Sequence, residues 1–172
     1  MSLFLESDLK IVGIDSGSRG CVLQLDSRKK IAGYLKMPFT EDKLLDFDKL
    51  ERSFSWSDVT KIFIEDVRGR GGIWGASQNF TFGFNYGMIR SFLINKQYTL
   101  VSPKQWQKVA HIGIKGKTAK EKSKLSFNRL SSENIKHDGI IDAFHIARYG
   151  LLLYPQNILL NTKWTFLNLD KK

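Results

Sequence analysis

Four acidic residues, each in or beside an apolar segment, restrict the folds open to this chain. They are Asp15, Glu65, Asp138 and Asp142. The first two end the short apolar runs 9–15 and 61–65, and the last two lie four apart in segment 137–147, which otherwise resembles a buried helix. Buried carboxylates are costly unless a positive charge neutralises them. In a chain of net charge +10, the acids predict bound divalent metal and a polyanionic substrate.

Composition narrows the class of protein further. The chain has 172 residues, of which 42% are apolar and 26% charged, as expected of a globular protein with a sizeable core. We expect one domain over residues 1–153 and a tail of unknown role over 154–172. No apolar stretch is long enough to span a membrane and the N-terminus lacks a signal-peptide pattern, so we expect no membrane partner. Cys21 is the single cysteine, which excludes an internal disulfide and favours the reducing cytoplasm.

Positive charge is concentrated in segment 104–136, where nine Lys or Arg residues face two acids. A solvated helix face is one interpretation of such a run. Beside an acidic metal site, phosphate binding is favoured instead. Lys104, Lys115, Lys117 and Lys122 are the candidate nucleic-acid contacts of this segment.

Periodicity and turn residues predict an α/β fold. The predicted elements are strands over 9–15, 20–26 and 30–36, a helix over 41–53, a strand over 60–65, a helix after the glycine-rich loop 68–75, a strand over 98–101, short helices in the basic segment and a long helix over 138–153. Segment 80–86 alternates like a strand but also fits a helix, which we favour because parallel strands need a crossover. The result is a mixed five-stranded sheet, three antiparallel strands plus two parallel, flanked by helices.

This order of elements predicts where the four acids meet. If the first and fourth strands are parallel neighbours, Asp15 and Glu65 lie at the same edge of the sheet. Asp138 and Asp142 share a helix face, where like charges repel unless a cation lies between them. Hard carboxylate oxygens suit Mg²⁺ or Mn²⁺, and two ions about 3.5–4 Å apart are typical of phosphodiester hydrolysis.

Each acid also has a structural interpretation. Asp15 fits a turn, Glu65 a surface ion pair and Asp138 a helix N-cap. Asp142 lies inside an apolar helix and is the hardest to explain without a ligand. His137 and His145 are near enough in sequence to join the site, although most helix histidines are structural.

The glycine-rich loop adds three candidate contacts. Arg68 and Arg70 stand among glycines that let the backbone approach a phosphate closely. Trp74 is a candidate for stacking on an unpaired base, although a core position is the more common role of such a residue.

Several motifs resemble a known family. They are Ile-Val-Gly-Ile-Asp-Ser-Gly-Ser-Arg-Gly at 11–20, Phe-Ile-Glu-Asp-Val at 63–67 and Asp-Gly-Ile-Ile-Asp-Ala-Phe-His-Ile-Ala-Arg-Tyr-Gly at 138–150. Together they resemble the RuvC-type Holliday junction resolvases of the ribonuclease H-like superfamily, and most closely the phage and chloroplast branch. Segments 82–87 and 102–108 are similar to that branch as well. The resemblance covers residues 9–151.

The resemblance implies a homodimer that binds a four-way DNA junction and makes paired, symmetric nicks with divalent metal, in the cytoplasm of a bacterium or a phage-infected host. It implies metal-binding roles for the four acids and places two lysines, Lys108 and Lys120, near the scissile phosphate. Bacterial members have three residues from acid to acid in the last helix, whereas this chain has four, as in the phage-like branch.

Three other functions stay open on the sequence alone. A ribonuclease H-like nuclease of hybrid, fork or flap substrates would need the same acids. Residues 13–18 also resemble the first phosphate loop of actin-like kinases and ATPases, which need two such domains. A non-catalytic nucleic-acid-binding protein would keep the basic segment without a working metal site.

Overall fold

The computed structural model describes residues 9–66 and 75–153. Five strands form one sheet in the order β3-β2-β1-β4-β5. They are β1 (Lys10–Asp15), β2 (Cys21–Asp26), β3 (Ile31–Lys36), β4 (Lys61–Glu65) and β5 (Tyr98–Val101). β1, β2 and β3 are antiparallel, while β4 is parallel to β1 and β5 is parallel to β4. The predicted mixed sheet is therefore confirmed.

Five helices flank the sheet. They are α1 (Phe47–Arg52), α2 (Ala76–Phe92), α3 (Pro103–Ala110), α4 (Ala119–Leu130) and α5 (Asp138–Leu153). The N-termini of α3 and α4 are well specified, because Ser102 forms a capping box with Gln105 and the Thr118 side chain accepts a hydrogen bond from the backbone N–H of Glu121. α2 confirms the helical interpretation of the aromatic segment. Within the described ranges, no helix has both the length and the apolarity to cross a membrane.

The helix predicted over residues 41–53 is wrong in its first half. Thr40 and Leu44 instead close a turn, Phe39 bridges to Leu45, and α1 begins only at Phe47. Lys43 has a φ of 61°, which a right-handed helix does not accommodate. The Asp46 side chain then accepts a hydrogen bond from the backbone N–H of Lys49, and this cap fixes the later start.

Helix α5 packs directly on β1, and two glycines make that approach possible. A Cβ at Gly13 would overlap the carbonyl oxygen of Ala143 and would lie 2.5 Å from the backbone nitrogen of Ala147. A Cβ at Gly139 would overlap the carbonyl oxygen of Arg19. α5 is consequently held against the strand that ends in Asp15. On the other face of the sheet a second core includes Val12, Leu50 and Ile89, so the molecule has helix, sheet and helix layers. The predicted 154–172 tail lies outside the described residues, so the domain boundary at 153 stays a prediction.

Candidate functional site

Parallel pairing of β1 with β4 brings the first two acids to one edge of the sheet. Ile14 lies opposite Ile64, and Asp15 and Glu65 are the next residues of the two strands. The backbone N–H of Gly17 donates to Asp15 Oδ1 over 3.0 Å. Burial nevertheless raises the pKa of the Asp15 carboxyl, because this single backbone hydrogen bond offsets only part of the desolvation.

Asp142 lies on the face of α5 that is turned toward these acids. Burial is the main cause that raises the pKa of Asp142 to about 8, and the charges of Asp15, Glu65 and Asp138 add to it in that order. Lys120 lowers the same pKa only partly. The other three predicted acids therefore lie within electrostatic range of Asp142, and burial and their charges favour its protonated form.

Asp138, one turn earlier, is neutralised by α4. Lys120 forms an ion pair with Asp138 Oδ2, and Lys124 Nζ lies 3.0 Å from Oδ1. Although burial opposes ionisation, hydrogen bonds and charge from these lysines lower the pKa of Asp138. The pKa values of the two α5 acids are thus shifted in opposite directions, since burial and nearby carboxylates raise that of Asp142 whereas lysines lower that of Asp138.

Glu65 is held by an indole. Trp106 of α3 is buried, and its Nε1–H donates to Glu65 Oε1 over 2.8 Å. The Trp106 ring stacks on His145, with centroids 6.1 Å apart and an interplanar angle of 7°. The carbonyl oxygen of Ser123 accepts from His145 Nε2 over 2.9 Å. Burial lowers the pKa of His145 to about 4, so its ring is neutral with the proton on Nε2 and supports Trp106.

A cleft of about 590 Å³ opens over three of the four acids, and Glu65 is not part of its lining. Asp15, Asp138, Asp142 and Lys120 line it on one side. Residues of α2 that sequence reasoning did not select also line it: Ser77, Gln78, Thr81, Phe82 and Asn85. The buried Ser16 Oγ and Asn85 Oδ1 have no hydrogen-bond partner among the described residues, so the cleft offers polar groups to a ligand.

The other predicted residues lie around this cleft or outside the described ranges. His137 directly precedes α5; burial first, then Lys36 and Arg19, lower its pKa. Lys104 and Lys108 are exposed on α3, Lys115 and Lys117 are exposed between α3 and α4, and Lys122 is half-buried on α4. Arg68, Arg70 and Trp74 fall on residues 67–74, which are outside the described part of the chain. The roles assigned to all these residues stay predictions.

Three of the four acids raise the pKa of the fourth, Asp142, but the four are not arranged as a complete set of metal ligands. Across residues 9–66 and 75–153, no three or more His, Cys, Asp or Glu side chains are arranged so that they could hold one metal ion. Each of the other three carboxylates already has a partner: the Gly17 backbone for Asp15, the α4 lysines for Asp138 and Trp106 for Glu65. The donor chemistry still suits a hard divalent cation, since these three carboxylates lie within electrostatic range of Asp142.

Comparison with known proteins gives a likeness in structure alone. No protein-family model matches the chain, and no curated protein matches its sequence. Thermus thermophilus RuvC in complex with a Holliday junction substrate is 13% identical over 84% of this chain and 94% of its own, with a TM-score of 0.58. Another T. thermophilus RuvC structure is 15% identical over 84% of this chain and 95% of its own, with a TM-score of 0.55. The chain has a RuvC-like fold, of the ribonuclease H-like type.

Proposed function

We propose that this protein is a metal-dependent endonuclease that cuts branched DNA, with the four-way junction as its principal substrate. The observation that carries the proposal is Asp142, a half-buried carboxyl in the cleft whose pKa is raised to about 8 by burial and by three further carboxylates. Such a cluster is stabilised by a bound cation. It is set in a cleft that cationic helices border and in a fold shared with RuvC.

The proposed metal is Mg²⁺ or Mn²⁺, as two ions held by Asp15, Glu65, Asp138 and Asp142. When bound, the ions supply activation of water and stabilisation of charge at the phosphate. Binding requires Asp142 to lose its proton and competes with Lys120 and Lys124 for Asp138. Lys120 is then available to a phosphate oxygen, which is its proposed role together with Lys108.

DNA binding is proposed along the basic segment. Lys104, Lys115, Lys117 and Lys122 lie on or between α3 and α4, which also carry Lys108 and Lys120. Contacts of this kind bind phosphates without reading sequence. Arg68, Arg70 and Trp74, in the glycine-rich segment that precedes α2 in the sequence, are proposed to contact the DNA. The cytoplasm of a bacterium or phage-infected host is the proposed location.

A homodimer is proposed because an apolar face of α2 is not covered by any other part of the chain that the structure describes. Phe80, Gly83, Phe84 and Gly87 recur at helical spacing on that face. Phe80 is 74% and Phe84 47% exposed, and Cβ atoms at Gly83 and Gly87 would meet nothing within 4 Å. A second copy would bury the aromatic rings, and the glycines would let two helices approach closely. Two sites related by a two-fold axis suit a symmetric junction.

Cleavage of a labelled immobile four-way junction in Mg²⁺ tests the proposal, beside matched duplex, flap and RNA–DNA hybrid. Paired nicks, symmetric across the junction, are the expected result. In Mg²⁺, where Asp142 is proposed to be an ionised metal ligand, Asp142→Asn should abolish cutting and leave junction binding intact or tighter, because it removes a negative charge beside the phosphate. Asp48→Asn, at an exposed acid on α1, is the matched control and should cut normally. Cutting of hybrid or flap alone would reject the junction but keep a nuclease, and binding without cutting in any metal would reject the nuclease.

A further inference from the structure

Two cations beside the acidic cleft have no role in the proposed catalytic centre. Arg19 lies in the loop between β1 and β2 and lines the cleft. The carbonyl oxygen of Gly20, next in the chain, accepts a hydrogen bond from the backbone N–H of Met37 over 3.0 Å. Lys36 ends β3 and lies opposite Cys21. The loop that carries Arg19 is thus fixed against the end of the strand that carries Lys36.

The beginning of α5 packs on the same loop. Gly139 contacts the backbone of Arg19 so closely that no Cβ would fit. His137, two residues earlier, directly precedes α5 and is half-buried. Its Nδ1 is buried and has no hydrogen-bond partner within the described ranges. Three separate segments, the β1–β2 loop, the end of β3 and the start of α5, therefore bring Arg19, Lys36 and His137 together.

These cations differ from the lysines of α4 in their pairing. Lys120 and Lys124 are both engaged by Asp138. Neither Arg19 nor Lys36 forms an ion pair with any residue of the described ranges, and both side chains are exposed. Acids line the adjacent cleft, yet none of them pairs with Arg19. Both charges are consequently free to bind an anion without first breaking an internal contact.

We propose that Arg19 and Lys36, together with His137 at the start of α5, form a second phosphate-binding subsite for the DNA strand that enters the cleft. The ligand is a backbone phosphodiester near the scissile one in the same strand. Arg19 donates through its guanidinium, Lys36 through its ammonium and His137 through a ring N–H. The subsite fixes the strand over the acids and takes no part in the bond cleavage. The proposal rests on the proposed function for its substrate, but its test measures DNA binding.

The test compares two double variants that remove equal charge. Arg19→Gln with Lys36→Gln removes the subsite, and Arg28→Gln with Lys30→Gln removes one Arg and one Lys from the exposed turn between β2 and β3. Binding of a labelled junction is measured by fluorescence anisotropy in EDTA at several KCl concentrations. Each lost phosphate contact lowers the slope of log K against log salt by about 0.9. We expect the subsite variant to lose about 1–2 from the slope and about tenfold in affinity at moderate salt, while the turn variant stays close to the unmodified protein.

Single-turnover cleavage in Mg²⁺ gives a second readout. The subsite variant should need more protein to reach half-maximal cleavage, while the rate at saturating protein stays within about twofold because the metal site is untouched. Equal salt slopes for the two double variants would overturn the subsite, and so would a large loss of saturated rate with normal binding. A protein that binds DNA with the expected slopes but never cuts would overturn the proposed nuclease and leave the phosphate subsite standing.

Discussion

Asp142 is a carboxyl whose ionisation opposes folding. Its pKa is raised to about 8 in the folded protein, whereas an unfolded aspartate titrates near about 3.9. Between these two values the folded state binds one more proton than the unfolded state, so stability falls as pH rises. Above pH 8 the full cost of the buried charge is present, and near pH 4 it is absent.

Asp142→Asn should therefore stabilise the metal-free protein by an amount that grows as the pH rises from about 4 to about 8. In EDTA at pH 9 we expect the melting temperature to rise by about 5 °C, for a gain of ~2 kcal/mol, and near pH 4 we expect no difference. In excess Mg²⁺ the unmodified protein should instead melt at the higher temperature, because only the unmodified protein is stabilised by the metal. Differential scanning fluorimetry across pH measures both effects. A variant that melts lower at every pH would show that Asp142 is structural.

Trp106 is predicted to position Glu65 for metal binding. Trp106→Phe removes the indole N–H that donates to Glu65 Oε1 and keeps an aromatic ring against His145. Loss of such a supporting hydrogen bond typically weakens metal affinity by about 10–100-fold, and we expect a tenfold weaker Mn²⁺ affinity by electron paramagnetic resonance titration.

Trp56→Phe provides the matched control for Trp106→Phe. Trp56 also donates from its indole, to the carbonyl oxygen of Leu50 over 3.1 Å, but it belongs to the core on the other face of the sheet. Both variants should lose about 1 kcal/mol of stability, and only Trp106→Phe should change Mn²⁺ affinity. If the two variants bind Mn²⁺ with equal affinity, Trp106 contributes to packing only and does not position Glu65.

The close packing of α5 on β1 brings Asp15 near Asp142. This packing requires a glycine at position 13, because any larger side chain would overlap the backbone of α5. Gly13→Ala puts a methyl group into the backbone of α5, so we expect a loss of about 3 kcal/mol. Gly33→Ala in β3 is the control, because its Cβ would lie 3.8 Å from Phe54 Cε1, an ordinary contact; it should change stability by less than about 1 kcal/mol. Urea unfolding followed by circular dichroism measures both. Similar midpoints would mean that α5 shifts without cost.

The order of elements was predictable because each strand and α5 carry strong local signals. Short apolar runs that end in Asp15 and Glu65 specify parallel strands with their acids at one edge, and the structure confirms that pairing. The start of α1 was not predictable from periodicity, because the φ of Lys43 and the cap at Asp46 override the apolar pattern.

Long-range polar contacts were beyond the reach of local patterns. The Trp106–Glu65 hydrogen bond joins residues 41 apart in sequence, and the packing of α3 determines it. Lys120 was selected from the family resemblance, but its pairing with Asp138 depends on how α4 lies beside α5. Nothing in the sequence of α2 predicted that this helix lines the cleft. Asn85, for example, is one polar residue among aromatic ones.

At the level of the assembled protein, the outer face of α2 predicts a dimer that one charge would break. Phe80→Glu places a carboxylate on that face, where Phe80 is 74% exposed in a single chain. Burial of this charge against a second copy would cost several kcal/mol, so we expect sedimentation velocity to show monomers at micromolar concentration where the unmodified protein is dimeric. Ile112→Glu, at a residue 72% exposed after α3, is matched in exposure and chemistry and should remain dimeric.

Since a monomer still holds one complete set of acids, Phe80→Glu should nick one strand of a junction and lose the paired second nick. A Phe80→Glu protein that stays dimeric would place the interface elsewhere, and a monomer that still makes paired nicks would show that the two cuts are independent.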